Sequence, residues 1–216
     1  MTEKQQWRKH EKSRYLPKNK PELIELKSFK FICLEGEGNP NSEAFSKRVE
    51  ALFSLAYAIK MQLKKAEEKP ATYCDFSVYP LEGVWDINKE AKARFNGVVN
   101  KDDLSYTLMI RQPDFVDESL FNQLRDCVQT KKPSPYISSI SFEEIEEGRC
   151  IQMLHLGCYE NESVSFALME SFAEQQGFSR NSKVHREIYL SDARRVSPDK
   201  YKTVLRFCVQ DSSTSE

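Results

Sequence analysis

Residues 149–178 read RCIQMLHLGCYENESVSFALMESFAEQQGF, and their pattern changes in mid-stretch. The first part, RCIQMLHLGCY, is an apolar run that ends in a glycine turn, which predicts a strand. The second, NESVSFALMESFAEQQGF, carries its apolar residues at helical spacing. Gly177 stops that helix, because a glycine just past the last turn adopts the left-handed conformation without steric cost. Two further strands follow, VHREIYLSD at 184–192 and YKTVLRFCV at 201–209. The order is strand, helix, strand, strand.

The same order occurs earlier in the chain. SFKFICLEGEGNPN, residues 28–41, reads as a strand that enters a loop at Gly36, Gly38 and Pro40. Its GxG lacks the third glycine of a dinucleotide fingerprint. Ser42 stands where an N-cap belongs, and Phe45, Val49, Leu52, Phe53, Ala56, Ile59 and Leu63 follow at helical spacing. YCDFSVYPLEGVWD and LSYTLMIRQP read as strands, and VDESLFNQLRDCVQTKK as another helix. FICLEG parallels MLHLG, and FSVYPLEG parallels REIYLSDA, which sets Ser77 against Glu187 and Tyr79 against Tyr189. The parallel lies in order and spacing more than in identity.

The expected fold class is therefore α+β, with two tandem strand-helix-strand-strand modules related by a pseudo-twofold axis around a central cleft. The expected boundaries are a basic flexible arm at 1–20, a first module at 21–130, a linker at 131–140 carrying KKPSPY, a second module at 141–210, and a disordered tail at 211–216. Repeat junctions commonly hold small-molecule sites.

Composition narrows the function. The 216 residues are 39% hydrophobic and 30% charged with a net charge of -1, an ordinary globular balance without the overall field that nucleic acid or anionic lipid would call for. The arm is basic, but no basic fold follows it, so a surface-draped segment is favoured over a nucleic-acid arm. The six cysteines form no CxxC, and the three histidines form no HExxH, which argues against structural zinc and against a disulfide framework. The N-terminus has no apolar signal region, and no run reaches membrane-spanning length. A cytoplasmic protein without metal or organic cofactor is expected, and a homodimer is compatible with the sequence.

RCIQMLHLGCY together with EIYLSDARRVSPDKYKTVLRFCV resembles the GyrI-like small-molecule-binding family. The family pattern is a His-x-Gly-Pro-Tyr turn, a helix, Glu-x-Tyr-Leu-Ser-Asp-Pro-Arg-Arg and a final strand. CLEGEGNPNSEAFSKRVEALFSLAYAIK and YPLEGVWD further resemble a stand-alone branch, and the similarity covers about residues 20–210. The resemblance implies two modules around a drug-sized cleft that takes an aromatic, amphipathic ligand. Some members sense drugs for transcription regulators, and others resemble gyrase inhibitors. The stand-alone branch includes enzymes that hydrolyse the cyclopropane of DNA-alkylating cyclopropapyrroloindole drugs. The sequence departs from the pattern at GCY, at DARR and at Asp86, where the branch often has a second tryptophan.

The resemblance selects candidate residues. Strand alternation puts Glu187 and Tyr189 on one face with His185, and Ile188 and Leu190 on the other. As an anonymous strand carboxylate Glu187 would pair with a surface base; the resemblance makes it a pocket carboxylate, suited to act as a general base. Tyr189 joins it as a candidate catalytic group. Trp85, Tyr79, Tyr57 and His155 are candidate ligand-binding residues, each with a structural alternative: junction packing for Trp85, an interface role for Tyr79, core packing for Tyr57 and a satisfied buried histidine for His155. Arg194 and Arg195 are read as loop pairs for Asp192. Two functions remain open, hydrolysis by a water that Glu187 activates, or capture of amphipathic cations without turnover.

Overall fold

The computed structural model describes residues 4–212. Two short helices, α1 (Trp7–His10) and α2 (Lys12–Tyr15), precede strands β1 (Glu22–Leu26) and β2 (Phe29–Glu37). Next come α3 (Glu43–Lys65), β3 (Leu81–Ile87), α4 (Lys89–Ala93), β4 (Leu104–Arg111), α5 (Glu118–Lys131) and α6 (Pro135–Ser138). The chain continues through β5 (Ser141–Ile145), β6 (Gly148–Leu156), α7 (Glu162–Gln175), β7 (Phe178–Arg180), β8 (His185–Tyr189) and β9 (Lys202–Asp211). The class is α+β. β2-α3-β3-β4 and β6-α7-β8-β9 both run strand, helix, strand, strand, with α4 added between the last two strands of the first and the short β7 added in the second.

The chain divides into two compact units. The first holds Phe29–Leu81, Ile87–Ile145 and the described residues up to Trp7; the second holds Arg8–Ser28, Glu82–Asp86 and the described residues from Glu146 on.

In the first unit β2 lies between β4 and β5, antiparallel to both. Ser42 caps α3 by accepting the Phe45 N–H, and Leu52, Leu55, Ala56, Ile59 and Leu63 form its buried stripe. Asp117 caps α5, and Phe121 of that helix stacks on Phe142. Residues 131–140, expected to link two modules, lie inside this unit. Pro135 starts α6, where its missing N–H costs nothing, and Ile137 and Ile140 are buried. Packing rather than chain order draws the boundary.

The expected flexible arm is ordered over its described part. Trp7 is only 6% exposed and donates its indole N–H to the Val78 carbonyl, and Tyr15 is also buried. Two large rings among the basic residues supply enough apolar burial to hold the segment down. The expected disordered tail begins at Asp211, which still pairs with Phe178 in the β7–β9 ladder; residues 213–216 lie outside the described residues.

The second unit is an antiparallel sheet in the order β1-β6-β9-β8-β3, with β7 added to the end of β9. Its two faces differ in chemistry. On one, Ile151, Met153, Leu205, Phe207 and Val209 pack against Met169 and Ala173 of α7, with Phe166, Phe172 and Phe178 around them. On the other lies a buried polar layer. Arg186 bridges Glu82 at 2.7 Å and Glu147 at 3.1 Å, while Arg206 reaches Glu147 at 2.9 Å and Gln152 at 2.9 Å. The segment around α2 covers this layer: Gln152 donates to the Ser13 carbonyl, Arg206 to the Arg14 carbonyl, and Tyr15 to Glu82. Two guanidiniums and two carboxylates balance, which is the condition for burying charges at all. Burial alone would raise the Glu147 pKa, but Arg186 and Arg206 hold it below the ordinary carboxylate value.

Candidate functional site

The site lies in the second unit, on the sheet face that α7 covers. β8 supplies His185, Glu187 and Tyr189, which alternation places on one side, as the sequence predicts. β3 pairs with β8 so that Trp85 lies opposite His185 and Gly83 opposite Glu187. The Trp85 indole N–H donates to the Tyr189 hydroxyl at 2.8 Å, and that hydroxyl donates to Glu187 Oε2 at 2.8 Å. His185 Nε2 lies 3.3 Å from Glu187 Oε1, while Nδ1 faces the Lys183 carbonyl. Glu187, a residue only 9% exposed, is thus held through Oε2 by the Tyr189 hydroxyl, with the His185 ring beside Oε1.

Gly83 makes room for this chain. A Cβ at position 83 would lie 2.8 Å from Trp85 Nε1 and 3.2 Å from the Tyr189 hydroxyl. The glycine of PLEG therefore lets two polar atoms meet over the carboxylate strand.

A second carboxyl joins from α7. Glu162, the first residue of that helix, is 7% exposed, and its Oε1 has no partner among the described residues. Burial first, and then the charge of Glu187 and a hydrogen bond to it, push the Glu162 pKa up to about 10. Burial beside Glu187 therefore favours the neutral, proton-bearing form of Glu162. Neighbouring carboxyls whose environments differ in this way are the usual arrangement for dividing acid from base.

Two phenols complete the surroundings. Burial, and then the Glu187 charge, raise the Tyr189 pKa well above that of a free phenol, so its proton stays in place. Tyr159 is raised for the same reasons in the same order. Its ring meets Tyr189 edge-on at 6.2 Å and Tyr201 at 5.1 Å. Tyr159 is 37% exposed, and its hydroxyl has no hydrogen-bond partner among the described residues. It is a donor that a ligand can use, whereas the Tyr189 hydroxyl already serves Glu187.

The structure brings together three of the residues the sequence selects, Glu187, Tyr189 and Trp85. His155 supports them from the side. Its Nε2 donates to the Cys158 carbonyl at 3.0 Å, so its Nδ1 accepts from Ser165 Oγ at 2.9 Å. It pins the turn that carries Tyr159 to the helix that carries Glu162. Tyr79 belongs to the first unit, buried against Arg111, whose guanidinium lies 4.8 Å from that ring and 3.8 Å from Phe29. Tyr57, read as a core residue or a ligand contact, is neither core nor buried: it is 54% exposed, because it follows Ala56 off the stripe that α3 buries. Arg194 and Arg195 pair with Asp192. Sequence reasoning misses Glu162 and Tyr159. The GCY turn is a signal for Tyr159, but Glu162 looks like any acid in the first turn of a helix.

Comparison with known proteins agrees with this architecture. The model of the GyrI-like small molecule binding domain matches residues 19–209. A hydrolase from Listeria innocua is 35% identical, covering 95% of this chain and 100% of its own, with a TM-score of 0.84. A second L. innocua structure described as a hydrolase is 36% identical, covering 96% of this chain and all of its own, with a TM-score of 0.85. The C-terminal domain of EcmrR, 11% identical over 89% of this chain and 98% of its own, with a TM-score of 0.51, shares the fold alone. No curated protein sequence matches. Among the described residues no helix is long and apolar enough to cross a membrane. A family match over almost the whole chain, and relatives aligned end to end at more than a third identity, mean that the chain belongs to the GyrI-like small-molecule-binding family.

Proposed function

We propose that this small-molecule-binding protein is a cofactor-independent hydrolase that opens the cyclopropane of DNA-alkylating spirocyclopropyl dienones and so detoxifies them in the cytoplasm. The observation that carries the reading is the pair of buried carboxyls: Glu187, oriented by Tyr189 and Trp85, beside Glu162 at the start of α7. The names of the L. innocua relatives support hydrolysis as the reaction class.

Water supplies the nucleophile. Glu187 takes a proton from it as its oxygen bonds to the strained cyclopropane carbon. The ring C–C bond breaks, and its electron pair passes through the dienone to the carbonyl oxygen, which becomes a phenolate. The Tyr159 hydroxyl is free to hydrogen-bond that developing charge. Glu162 is the acid that can restore a proton to the product. The net change is the addition of one water.

A second reading rests on the same carboxylate. An ionised Glu187 beside the Tyr159 and Tyr201 rings also suits an amphipathic cation held without reaction. Incubating the purified protein with a spirocyclopropyl dienone separates the two. The hydrolase reading expects a ring-opened product by chromatography at substoichiometric protein; binding without turnover would favour capture.

A further inference from the structure

On the sheet face away from Glu187, Cys150 of β6 and Cys208 of β9 are opposite partners in the antiparallel ladder. Their sulfurs lie 3.7 Å apart. Opposed residues in such a ladder have Cα atoms about 4.5 or 5.5 Å apart, and both spacings fall within the roughly 4.4–6.8 Å that a disulfide bridges. The register therefore holds the two Cα atoms at a separation that a disulfide can span.

The two cysteines are not equivalent. Cys150 is fully buried and Cys208 only partly. Cys150 Sγ lies 3.8 Å from the Glu147 carbonyl oxygen. The Cys208 pKa is lowered to about 7, first by a hydrogen bond from Cys150, with Arg186 and Arg206 adding to it against burial and the Glu147 charge. The Cys150 thiol is pushed up, chiefly by the same hydrogen bond and by burial. Cys208 is the more exposed of the two and the one whose thiolate its surroundings favour, so it is the sulfur that peroxide would reach first.

We propose that Cys208 and Cys150 form a peroxide-reactive dithiol, in which Cys208 is oxidised first and Cys150 closes a cross-strand disulfide. In the first step the Cys208 thiolate attacks one oxygen of hydrogen peroxide. The O–O bond breaks, the sulfur gives up two electrons and becomes a sulfenic acid, and the departing hydroxide takes a proton to form water. In the second step the Cys150 sulfur, losing its proton, displaces the sulfenic oxygen as a second water and forms the S–S bond. Two thiols and one peroxide give one disulfide and two waters.

Glu147 lies close enough that its carboxylate and the two sulfurs fall within 4.8 Å of one another. A metal ion there would have to draw the carboxylate away from two guanidiniums, since Arg186 holds one oxygen and Arg206 the other. This occupied carboxylate is why the cluster fits oxidation of its sulfurs better than coordination through them.

The test uses the reduced full-length chain, hydrogen peroxide, rapid alkylation and peptide mapping. The Cys150–Cys208 linked peptide should appear before any change at Cys33, Cys74, Cys127 or Cys158. A thiol with a pKa near 7 has about 15-fold more thiolate at neutral pH than one at the reference value of about 8.5. In Cys150→Ser, Cys208 should accumulate as a sulfenic acid trapped by dimedone. In Cys208→Ser, Cys150 should remain a free thiol under the same exposure. Oxidation of the other cysteines while this pair stays reduced would overturn the proposal. So would stoichiometric protection of both thiols by zinc in a protein that forms no disulfide with peroxide. Should either serine variant fail to fold, the wild-type map decides alone.

Discussion

Gly83 lies opposite Glu187 in the β3–β8 ladder, and its missing side chain is what lets the Trp85 indole reach the Tyr189 hydroxyl. A methyl at position 83 would press on a rigid ring whose N–H is already committed. Gly83→Ala should therefore push Trp85 away from Tyr189 and leave Glu187 less firmly oriented. Overpacking of this kind costs about 1–3 kcal/mol. The check is denaturant unfolding together with Trp85 emission in a Trp7→Phe background. An unchanged emission maximum and unchanged stability would show that the contact tolerates the methyl.

The raised pKa of Glu162 gives a pH signature in stability. Its folded pKa is near 10 against an ordinary 4.5, so between those values the folded chain holds a proton that the unfolded chain has lost. Folding is therefore progressively destabilised as pH rises through that window, with a ceiling of about 1.4 kcal/mol per pH unit for one proton. Glu162→Gln keeps the shape without the ionisation. Its stability should lie close to wild type near about pH 5 and exceed it increasingly towards about pH 8. Urea denaturation at both values measures the difference; a gap independent of pH would mean that Glu162 is ionised in the fold.

The two phenols should separate by role. Tyr189 acts through Glu187, so Tyr189→Phe removes one hydrogen bond from the carboxylate and should lower dienone turnover by about 5–10-fold, the effect of about 1 kcal/mol. In the proposed reaction Tyr159 meets the developing phenolate itself, and Tyr159→Phe should cost about 10²–10³ in kcat. Equal losses in the two variants would remove the distinction.

The alternation of β8 makes the company of Glu187 legible in the sequence alone, because a period of two leaves no choice of face once the strand is placed. Trp85 can be named only through a resemblance, since the hydrogen bond that defines it depends on which strand pairs with β8. Glu162 is hidden for an electrostatic reason. An acid in the first turn of a helix is favoured by the helix dipole when exposed, and only tertiary burial against Glu187 reverses its protonation. The N-terminal segment misleads in the opposite direction. Its charges are local and conspicuous, while the burial of Trp7 and Tyr15 depends on residues far along the chain.

That segment yields a stability prediction of its own. Trp7 is anchored at both its ring and its N–H, so Trp7→Ala should destabilise the fold by about 3–5 kcal/mol, as for other buried aromatics. A truly flexible arm would show no change. Thermal unfolding of the variant distinguishes the two, and Lys9→Ala, at an exposed position of the same helix, serves as the control.

Glu187→Gln tests the mechanism itself. The amide preserves size and can still meet Tyr189, but it cannot take a proton from water. General-base catalysis contributes about 10²–10⁴-fold, so turnover of a spirocyclopropyl dienone should fall by that factor. A flat neutral ligand should bind as before, since the Tyr159 and Tyr201 rings remain. An amphipathic cation should bind more weakly, since its counter-charge has gone. Glu162 then provides an internal check. The Glu187 charge is one cause of its raised pKa, so the variant should shift the Glu162 titration downward, detectable by NMR of the labelled carboxyl. Loss of turnover with neutral-ligand affinity intact identifies Glu187 as the base. Loss of cation affinity, in a protein that turns nothing over even as wild type, identifies a capture site. Wild-type turnover in Glu187→Gln would remove Glu187 from the chemistry and transfer the role of base to another group near Tyr159.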